Sequence, residues 1–308
     1  MDEDKHPARG HDLEELLPSE AKESLRHLEL FARRTVEGLL KGIHRSRRIG
    51  VSTEFDHHTE YQPGDPLRHI DWKASARQDR YFVKRYEEET ALSVRILLDR
   101  SASMLRESDG RSKYIQACRL AACLAYLIIK ERDAAGLALT NSSDTLWLPP
   151  SSRNAHLVAI LSELASMPAG AEDSIGPCLR SLVERDEQKG LVVLISDLMF
   201  DPDEPRRLLA SLEAQGHEVL LCQVRDPAEE DFPFNRWVQF RDLENTANQH
   251  RVDTVPLKKI YREEYQHVIK EWREWAKKCG MHFVTFRTDA HVATVLSEYL
   301  AYRNRLAQ

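Results

Sequence analysis

The sequence predicts an α/β fold with a mostly parallel sheet and helices on both faces. From residue 91 onward, short apolar segments alternate with segments of helical periodicity, which is typical of such sheets. Two of the apolar segments end abruptly at aspartates, Asp99 and Asp197. Both segments are expected to be buried strands, so their carboxyl ends are where this fold class places its ligands.

The elements follow one another in a clear order. Residues 1–18 are polar and are expected to be mobile, and a helix is predicted from Ser19 to about residue 41. A basic loop, Gly42–Gly50, and an extended segment, Val51–Glu89, are expected next. The predicted strands are 92–98, 135–140, 145–148, 191–196, 218–224, 237–241 and 282–287. The predicted helices are 112–132, 153–166, 175–186, 205–215, 257–278 and 290–303.

These elements predict three parts of the chain. Residues 1–18 form the tail, residues 19–87 contain the first helix and the extended segment, and residues 88–308 form the α/β domain with a C-terminal helix. The first helix has an apolar stripe that needs a partner, and the extended segment is too short and too charged to supply a core. We therefore expect the middle part to pack on the α/β domain.

Composition excludes several classes of protein. The net charge of −6 gives no support for nucleic-acid binding. Five cysteines occur without a CxxC pair, which favours reduced thiols. The acidic N-terminus does not resemble a signal peptide, and the longest apolar run, Leu120–Ile129, is far shorter than the roughly 20 residues of a membrane span. We therefore expect a cytoplasmic protein without a membrane span.

Oxygen-bearing side chains follow the first buried strand. Ser101 and Ser103 come two and four residues after Asp99, and Ser174 lies in a loop that enters a helix. Carboxylates and hydroxyls are hard ligands that suit Mg²⁺ or another divalent cation. The same pattern is also compatible with a strand followed by a Ser-rich turn. Asp197, which follows the predicted strand 191–196, favours the metal site over the Ser-rich turn.

This pattern resembles the metal-ion-dependent adhesion site of von Willebrand factor type A domains. The resemblance implies that Ser101 and Ser103 ligate the metal directly, and that Asp99 and Asp197 act largely through water. It also implies that Ser174 replaces the usual Thr, and that one coordination position stays open for a carboxylate of a partner protein.

Other chemistry is less well supported by the residues. His57 and His58 are adjacent on an extended segment and point to opposite faces, so a shared metal ion is not expected. The basic run Arg45–Arg48 could bind phosphate, although such runs more often form a solvated face. A Mg²⁺-dependent phosphoryl-transfer or phosphatase-like enzyme using Asp99 and Asp197 is the alternative function, but a general base or nucleophile is not evident.

A second motif is more specific than the metal pattern. Glu54–Arg77 contains a Pro-Gly-Asp turn, and Arg68, Asp71, Lys73 and Arg77 could form a charged network around it. Together with His44-Arg45-Ser46, Val83–Tyr86, Glu89 and the Asp-x-Ser-x-Ser site, this motif resembles the family called domain of unknown function fifty-eight. Thr59 and Pro66 depart from the family pattern, which usually has Arg and Asp there.

The family resemblance implies a function. Its members resemble partners of MoxR-type AAA+ ATPases, so we expect a non-enzymatic, chaperone-like adaptor that couples such an ATPase to a client protein. The type A resemblance implies the corresponding Rossmann-like fold, with the N-terminal helix and the extended segment packed on it. The metal-bearing rim is then the expected docking surface.

Overall fold

The computed structural model describes the α/β part of the chain in detail. It covers residues 19–47, 58–60, 82–84, 92–105, 107–108, 110–140, 145–166, 175–185, 188–234, 237–241 and 249–306. The chain divides into two compact units, one formed by Met1–Leu39 with Leu92–Gln308 and the other by Leu40–Ala91.

The strands within the described ranges are β1 (His58–Glu60), β2 (Phe82–Lys84), β3 (Ser93–Leu98), β4 (Glu107–Ser108), β5 (Arg111–Ser112), β6 (Ala134–Thr140), β7 (Thr145–Ser151), β8 (Leu191–Ser196), β9 (Glu218–Arg225), β10 (Trp237–Arg241), β11 (Gln249–Asp253) and β12 (His282–Arg287). The helices are α1 (Ser19–Arg47), α2 (Lys113–Lys130), α3 (Asn154–Ala165), α4 (Ile175–Val183), α5 (Asp203–Ala214), α6 (Pro227–Asp231), α7 (Thr254–Lys278) and α8 (Val292–Leu306). A 3₁₀ turn spans Ala102–Leu105.

The larger unit contains a six-stranded sheet with the strand order β12-β9-β8-β3-β6-β7. Every neighbouring pair is parallel except β6 and β7, which form an antiparallel hairpin. Counted along the chain, this is the doubly wound order 3-2-1-4-5-6, which reverses between β3 and β8. The predicted α/β fold with a mostly parallel sheet is confirmed.

Helices cover both faces of this sheet because the central strands are apolar on both sides. Leu97, Leu194 and Leu221 pack in a core with α4, α5 and α7, where Trp272 is one of the largest buried side chains. Alternate residues such as Ile96 point to the opposite face, against which α2 packs. Trp272 is therefore a packing residue of the core.

β7 forms one edge of the sheet and carries Pro149 and Pro150. Gly136 of β6 lies opposite this Pro pair, and a Cβ atom there would meet the Leu148 carbonyl oxygen at 2.9 Å and the Pro150 ring at 3.0 Å. The register shifts between Ala135 and Leu137 at the same point. The close approach of the two strands therefore depends on glycine.

Two sequence expectations need correction. The basic run after Gly42 is not a loop up to residue 50, because α1 continues through Arg47. Arg and Lys have good helix propensity, so a cluster of these residues does not by itself end a helix. In addition, β10 pairs with β11 in a separate antiparallel hairpin, and β11 was not predicted.

The cysteines of the chain lie mostly in the core. Five free cysteines are present, and four of them are buried. Burial raises the pKa of the Cys118, Cys123, Cys178 and Cys222 thiols to about 12. Buried thiols of this kind behave as small apolar core groups and not as nucleophiles.

Candidate functional site

The candidate site lies where the strand order of the sheet reverses. β3 and β8 are parallel neighbours at this point, and the Asp99 N–H donates to the Ile195 carbonyl oxygen at 3.0 Å, which extends their pairing by one residue. Asp99 and Asp197 therefore leave the same edge of the sheet side by side. In doubly wound sheets the crevice at this reversal is the usual ligand site.

Asp99 is fully buried and its carboxylate is held from two sides. The Ser101 N–H donates to Oδ1 at 2.9 Å, and the Ser196 hydroxyl donates to Oδ2 at 2.6 Å. These two hydrogen bonds fix the plane of the carboxylate. They leave each oxygen with lone-pair capacity for a further donor or a cation.

The hydroxyls of the two serines that follow Asp99 lie close to each other. Ser101 Oγ lies 3.1 Å from Ser103 Oγ, and the 3₁₀ turn that begins at Ala102 makes this approach possible. Two neighbouring ligands on an octahedral Mg²⁺ with bonds of ~2.1 Å are ~3.0 Å apart. The spacing of the two hydroxyl oxygens therefore matches adjacent positions on one Mg²⁺ ion.

Asp197 occupies the end of β8 in a sharply bent backbone. Its Oδ1 accepts the Met199 N–H at 3.2 Å, and the Leu198 N–H donates to the Ser196 hydroxyl at 2.9 Å. Leu198 itself has a φ of 60°, which an L-residue with a side chain rarely adopts. Leu198 is also buried in the core, so packing holds this strained turn in place.

A buried lysine neutralises part of this site. Lys113, the first residue of α2, donates to Asp197 Oδ2 at 2.7 Å and to Glu229 Oε1 at 2.7 Å. Burial acts to lower the pKa of Lys113, but the two carboxylates outweigh it, and the pKa lies above its ordinary value. Lys113 is therefore a fixed positive charge at the base of the site.

The charge balance leaves the site favourable for a divalent cation. Burial raises the pKa of Asp99 to about 6, and repulsion from Asp197 adds to this effect, while hydrogen bonds from Ser196 and Ser101 oppose it. With Asp99 ionised, the charges of Asp99, Asp197, Glu229 and Lys113 sum to −2, which one divalent cation would neutralise.

The predicted site residues can now be compared with the structure. Asp99, Ser101, Ser103 and Asp197 converge on one rim of the sheet, whereas Ser174 lies outside the described residues. No group of three or more His, Cys, Asp or Glu side chains among the described residues is arranged as a metal site. The Ser101 and Ser103 hydroxyls do not belong to those four residue types, and hydroxyl oxygens are hard ligands of the kind that Mg²⁺ accepts.

Three residues of the site were missed in the sequence. Ser196 orients Asp99, and Lys113 links Asp197 to Glu229. Lys113 was overlooked because lysine is almost never fully buried unless it is paired. Its sequence signal is its position at the start of an otherwise apolar helix. Ser112 occupies the N-cap position of α2 without a side-chain cap, and its hydroxyl lies 3.5 Å from the Met104 carbonyl oxygen.

Other sequence motifs lie mostly outside the described residues. Within Glu54–Arg77, the described backbone is limited to β1, which pairs antiparallel with β2. The Pro-Gly-Asp turn, His57, Arg48 and the tail at residues 1–18 lie outside the described residues. The charged network predicted around the turn and the roles predicted for these residues therefore stay predictions.

Curated relatives match this chain over different shares of its length. The uncharacterized protein Rv1480 of Mycobacterium tuberculosis is 26% identical over 286 residues, covering 92% of this chain and 89% of its own length. The uncharacterized protein YeaD of Bacillus subtilis is 26% identical over 133 residues, covering 41% of this chain and 31% of its own length.

Solved structures provide a second comparison. An aerotolerance-related membrane protein from Bacteroides fragilis has a TM-score of 0.48 and 18% identity, covering 70% of this chain and all of its own. The conserved hypothetical protein BatB from Bacteroides thetaiotaomicron has a TM-score of 0.47 and 18% identity over the same shares. The VWA domain of SpRpn10 has a TM-score of 0.41 and 10% identity, covering 67% of this chain and 94% of its own.

These neighbours correct one sequence prediction. The Bacteroides fragilis protein is described as a membrane protein, and that description contradicts the predicted cytoplasmic location, which is not carried forward. Within the described residues, none of the helices combines the length and the apolar character that crossing a bilayer requires.

The family is shown by the sequence itself. A family model matches residues 57–275, which include both the Asp-x-Ser-x-Ser site and most of the Pro-Gly-Asp motif. The family resemblance predicted from the sequence is confirmed, and the mostly parallel sheet expected for a von Willebrand factor type A-like fold is present. The chain belongs to the family described as protein of unknown function DUF58.

Proposed function

We propose that this chain is a non-enzymatic adaptor that binds Mg²⁺ or another divalent cation at the rim of Asp99, Ser101 and Ser103, and docks a partner protein through that cation. The observation that carries the proposal is the 3.1 Å spacing of the Ser101 and Ser103 hydroxyl oxygens, in the segment whose Ser101 N–H also binds the buried Asp99 carboxylate. A type A-like fold is consistent with a protein-interaction domain, which is the coarser form of the proposal.

The residues have different roles in this proposal. Ser101 and Ser103 would hold the cation directly, while Asp99 and Asp197 would act largely through water, because their carboxylates already accept hydrogen bonds from the protein. Ser174 completes the proposed ligand set. A cation held mainly by neutral hydroxyls and water keeps much of its positive charge, and it can therefore attract an Asp or Glu from a partner.

The proposed partner is a MoxR-type AAA+ ATPase, its client protein, or both. This part rests on the family resemblance of the Asp-x-Ser-x-Ser and Pro-Gly-Asp motifs, and the rim supplies the chemistry for recognising an acidic side chain. In this arrangement the ATPase would provide the energy and this chain would provide the contact with the client.

The test separates cation binding from partner binding. We would measure Mg²⁺ binding by isothermal titration calorimetry for the wild type and for the double variant Ser101→Ala/Ser103→Ala. Partner capture would be measured by pull-down with a MoxR-type ATPase from the same organism, with Mg²⁺ and with chelator. We expect the double variant to lose both Mg²⁺ binding and partner capture, with little change in melting temperature.

A matched control is available on α8. The hydroxyl of Ser297 is exposed and bonds the Ala293 carbonyl oxygen of its own helix, so Ser297→Ala should leave both measurements unchanged. Equal binding by wild type and double variant, with or without chelator, would refute the proposal. Hydrolysis of p-nitrophenyl phosphate that disappears in Asp99→Ala would instead support the phosphoryl-transfer enzyme.

A further inference from the structure

An apolar groove lies beside the first turns of α2, separate from the rim described above. It has a volume of about 670 Å³ and is bounded by α1, by α2 and by the C-terminal end of α3. Its lining includes Leu28 and Phe31 of α1, Tyr114 and Ile115 of α2, and Leu164 of α3. The volume is within the range of about 300–1,000 Å³ that is typical of binding sites.

The walls of the groove are formed by a packed helix, α1, and by α2, which contacts it. The buried face of α1 includes Leu25, Ala32 and Val36, so the helix is packed along one side. The Arg119 guanidinium lies 5.2 Å from the centre of the Phe31 ring, which ties one wall to the other. The groove is therefore a feature of the packed fold.

Two large apolar side chains remain exposed at this groove. Leu30 is 50% exposed and Ile115 is 44% exposed, and both line it. A contiguous apolar surface of this kind on a solvent-exposed face is typical of an interaction site.

The charged side chains that line the groove have one sign. Arg34 and Arg119 line it, and none of its described lining residues is acidic, although the whole chain has a net charge of −6. Glu23 is nearby, with Oε1 3.7 Å from His27 Nε2, but both side chains are largely exposed to solvent, so this pair contributes little. The arginines therefore give the groove a basic border around an apolar floor.

We propose that this groove binds an acidic amphipathic helix of a partner protein. An amphipathic helix places apolar residues at positions i, i+3, i+4 and i+7 on one face, and this face would contact Phe31 and Ile115. Acidic residues on the flanks of that helix would pair with Arg34 and Arg119. The two walls formed by α1 and α2 accept a third helix between them.

The groove adjoins the metal-bearing rim through α2. Lys113 reaches Asp197 and Glu229, and the next two residues, Tyr114 and Ile115, line the groove. A partner bound at the rim could therefore extend a helix into the groove. The groove proposal does not depend on the cation, because none of its lining residues ligates the rim site.

The experiment uses a synthetic peptide of about 18 residues with Leu on one helical face and Glu on the other, labelled with fluorescein. Its binding to the full chain would be measured by fluorescence anisotropy in chelator, so that the rim contributes nothing. A second peptide has Lys in place of every Glu. The wild type is expected to bind the acidic peptide at least roughly tenfold more tightly than the basic one, with weaker binding at high salt.

Two variants test the two parts of the proposal. Ile115→Glu should abolish binding of the acidic peptide, because it puts a charge of the peptide's own sign into the apolar floor. The charge reversal Arg34→Glu/Arg119→Glu should switch the preference to the basic peptide. Thermal melting by circular dichroism checks that each variant is folded. The control Ile260→Glu changes an apolar residue that is 63% exposed on α7 and should not alter binding.

Several outcomes would overturn the proposal. Equal affinity for the acidic and basic peptides would exclude charge recognition, and binding unaffected by Ile115→Glu would place the peptide elsewhere. Binding of phosphatidylglycerol vesicles without binding of the peptide would assign the groove to lipid. If the wild type does not bind Mg²⁺ but does bind the acidic peptide, the proposed function alone is refuted and the groove proposal stands.

Discussion

Lys113 Nζ donates a hydrogen bond of 2.7 Å to Oδ2 of Asp197, and both side chains are buried. Asp197, which the sequence predicts to be part of a metal site, is therefore paired with Lys113, the first residue of α2. The lysine also bonds Glu229, so one ammonium group holds two acidic side chains from different segments. This arrangement fixes the orientation of Asp197 before any cation binds.

Replacing Lys113 with Met should destabilise the protein by about 3–5 kcal/mol, because it leaves two buried carboxylates without their cation. The free energy of unfolding would be measured by urea titration at pH 7. The double variant Lys113→Met/Glu229→Gln removes one of the uncompensated charges and should recover part of the loss. A single variant as stable as the wild type would show that the ion pair contributes nothing.

The raised pKa of Asp99 predicts a specific pH dependence without divalent ions. Between its ordinary value of 3.8 and about 6, the folded protein holds more protons at this position than the unfolded chain. The contribution of Asp99 to stability therefore falls as the pH rises through this window. Asp99→Asn should remove that slope and should be at least as stable as the wild type at pH 7 in chelator. Addition of Mg²⁺ should then raise the melting temperature of the wild type alone.

Ser196→Ala should weaken cation binding through Asp99. The hydroxyl donates to Asp99 Oδ2 and accepts the Leu198 N–H, so the substitution removes a partner from each. The lost donor should raise the pKa of Asp99 further, and the Mg²⁺ affinity should fall more at pH 6 than at pH 8. The unpaired Leu198 N–H should cost about 1–3 kcal/mol of stability. An affinity that changes equally at both pH values would contradict the role of Ser196.

Two glycines provide a matched pair of opposite predictions. A Cβ at Gly190 would lie 2.1 Å from the Ser93 carbonyl oxygen, so Gly190→Ala must displace a strand backbone and should cost at least ~3 kcal/mol. A Cβ at Gly38, within α1, meets nothing within 4 Å, so Gly38→Ala should stabilise the protein by about 1 kcal/mol. The two melting temperatures should therefore move in opposite directions, and a shift of the same sign in both variants would contradict the pair.

The strands of the sheet could be predicted because their apolar runs are distinctive. Leu191–Ser196 is found with the predicted boundaries, and the strand around Leu97 differs by one residue. The strand β11, Gln-His-Arg-Val-Asp, was missed because it has no alternation of apolar and polar residues. Its pairing with β10 is a tertiary preference that a local pattern does not contain.

The site could be predicted in part for a similar reason. Asp99, Ser101 and Ser103 are close in sequence, and Asp197 follows from the rule that parallel strands end at one edge. The pairing of Lys113 with Asp197 and Glu229 joins positions separated by 84 and 116 residues. Such a contact depends on the strand order, which the sequence pattern did not specify.

The Pro pair at the edge of the sheet limits how this molecule can assemble with others. Pro149 and Pro150 have no N–H to offer, so this part of β7 cannot template a complete ladder with an incoming strand. Copies of the protein at high concentration are thereby hindered from joining edge to edge along β7. A partner that works by donating a β-strand would have to approach β12, the opposite edge of the sheet.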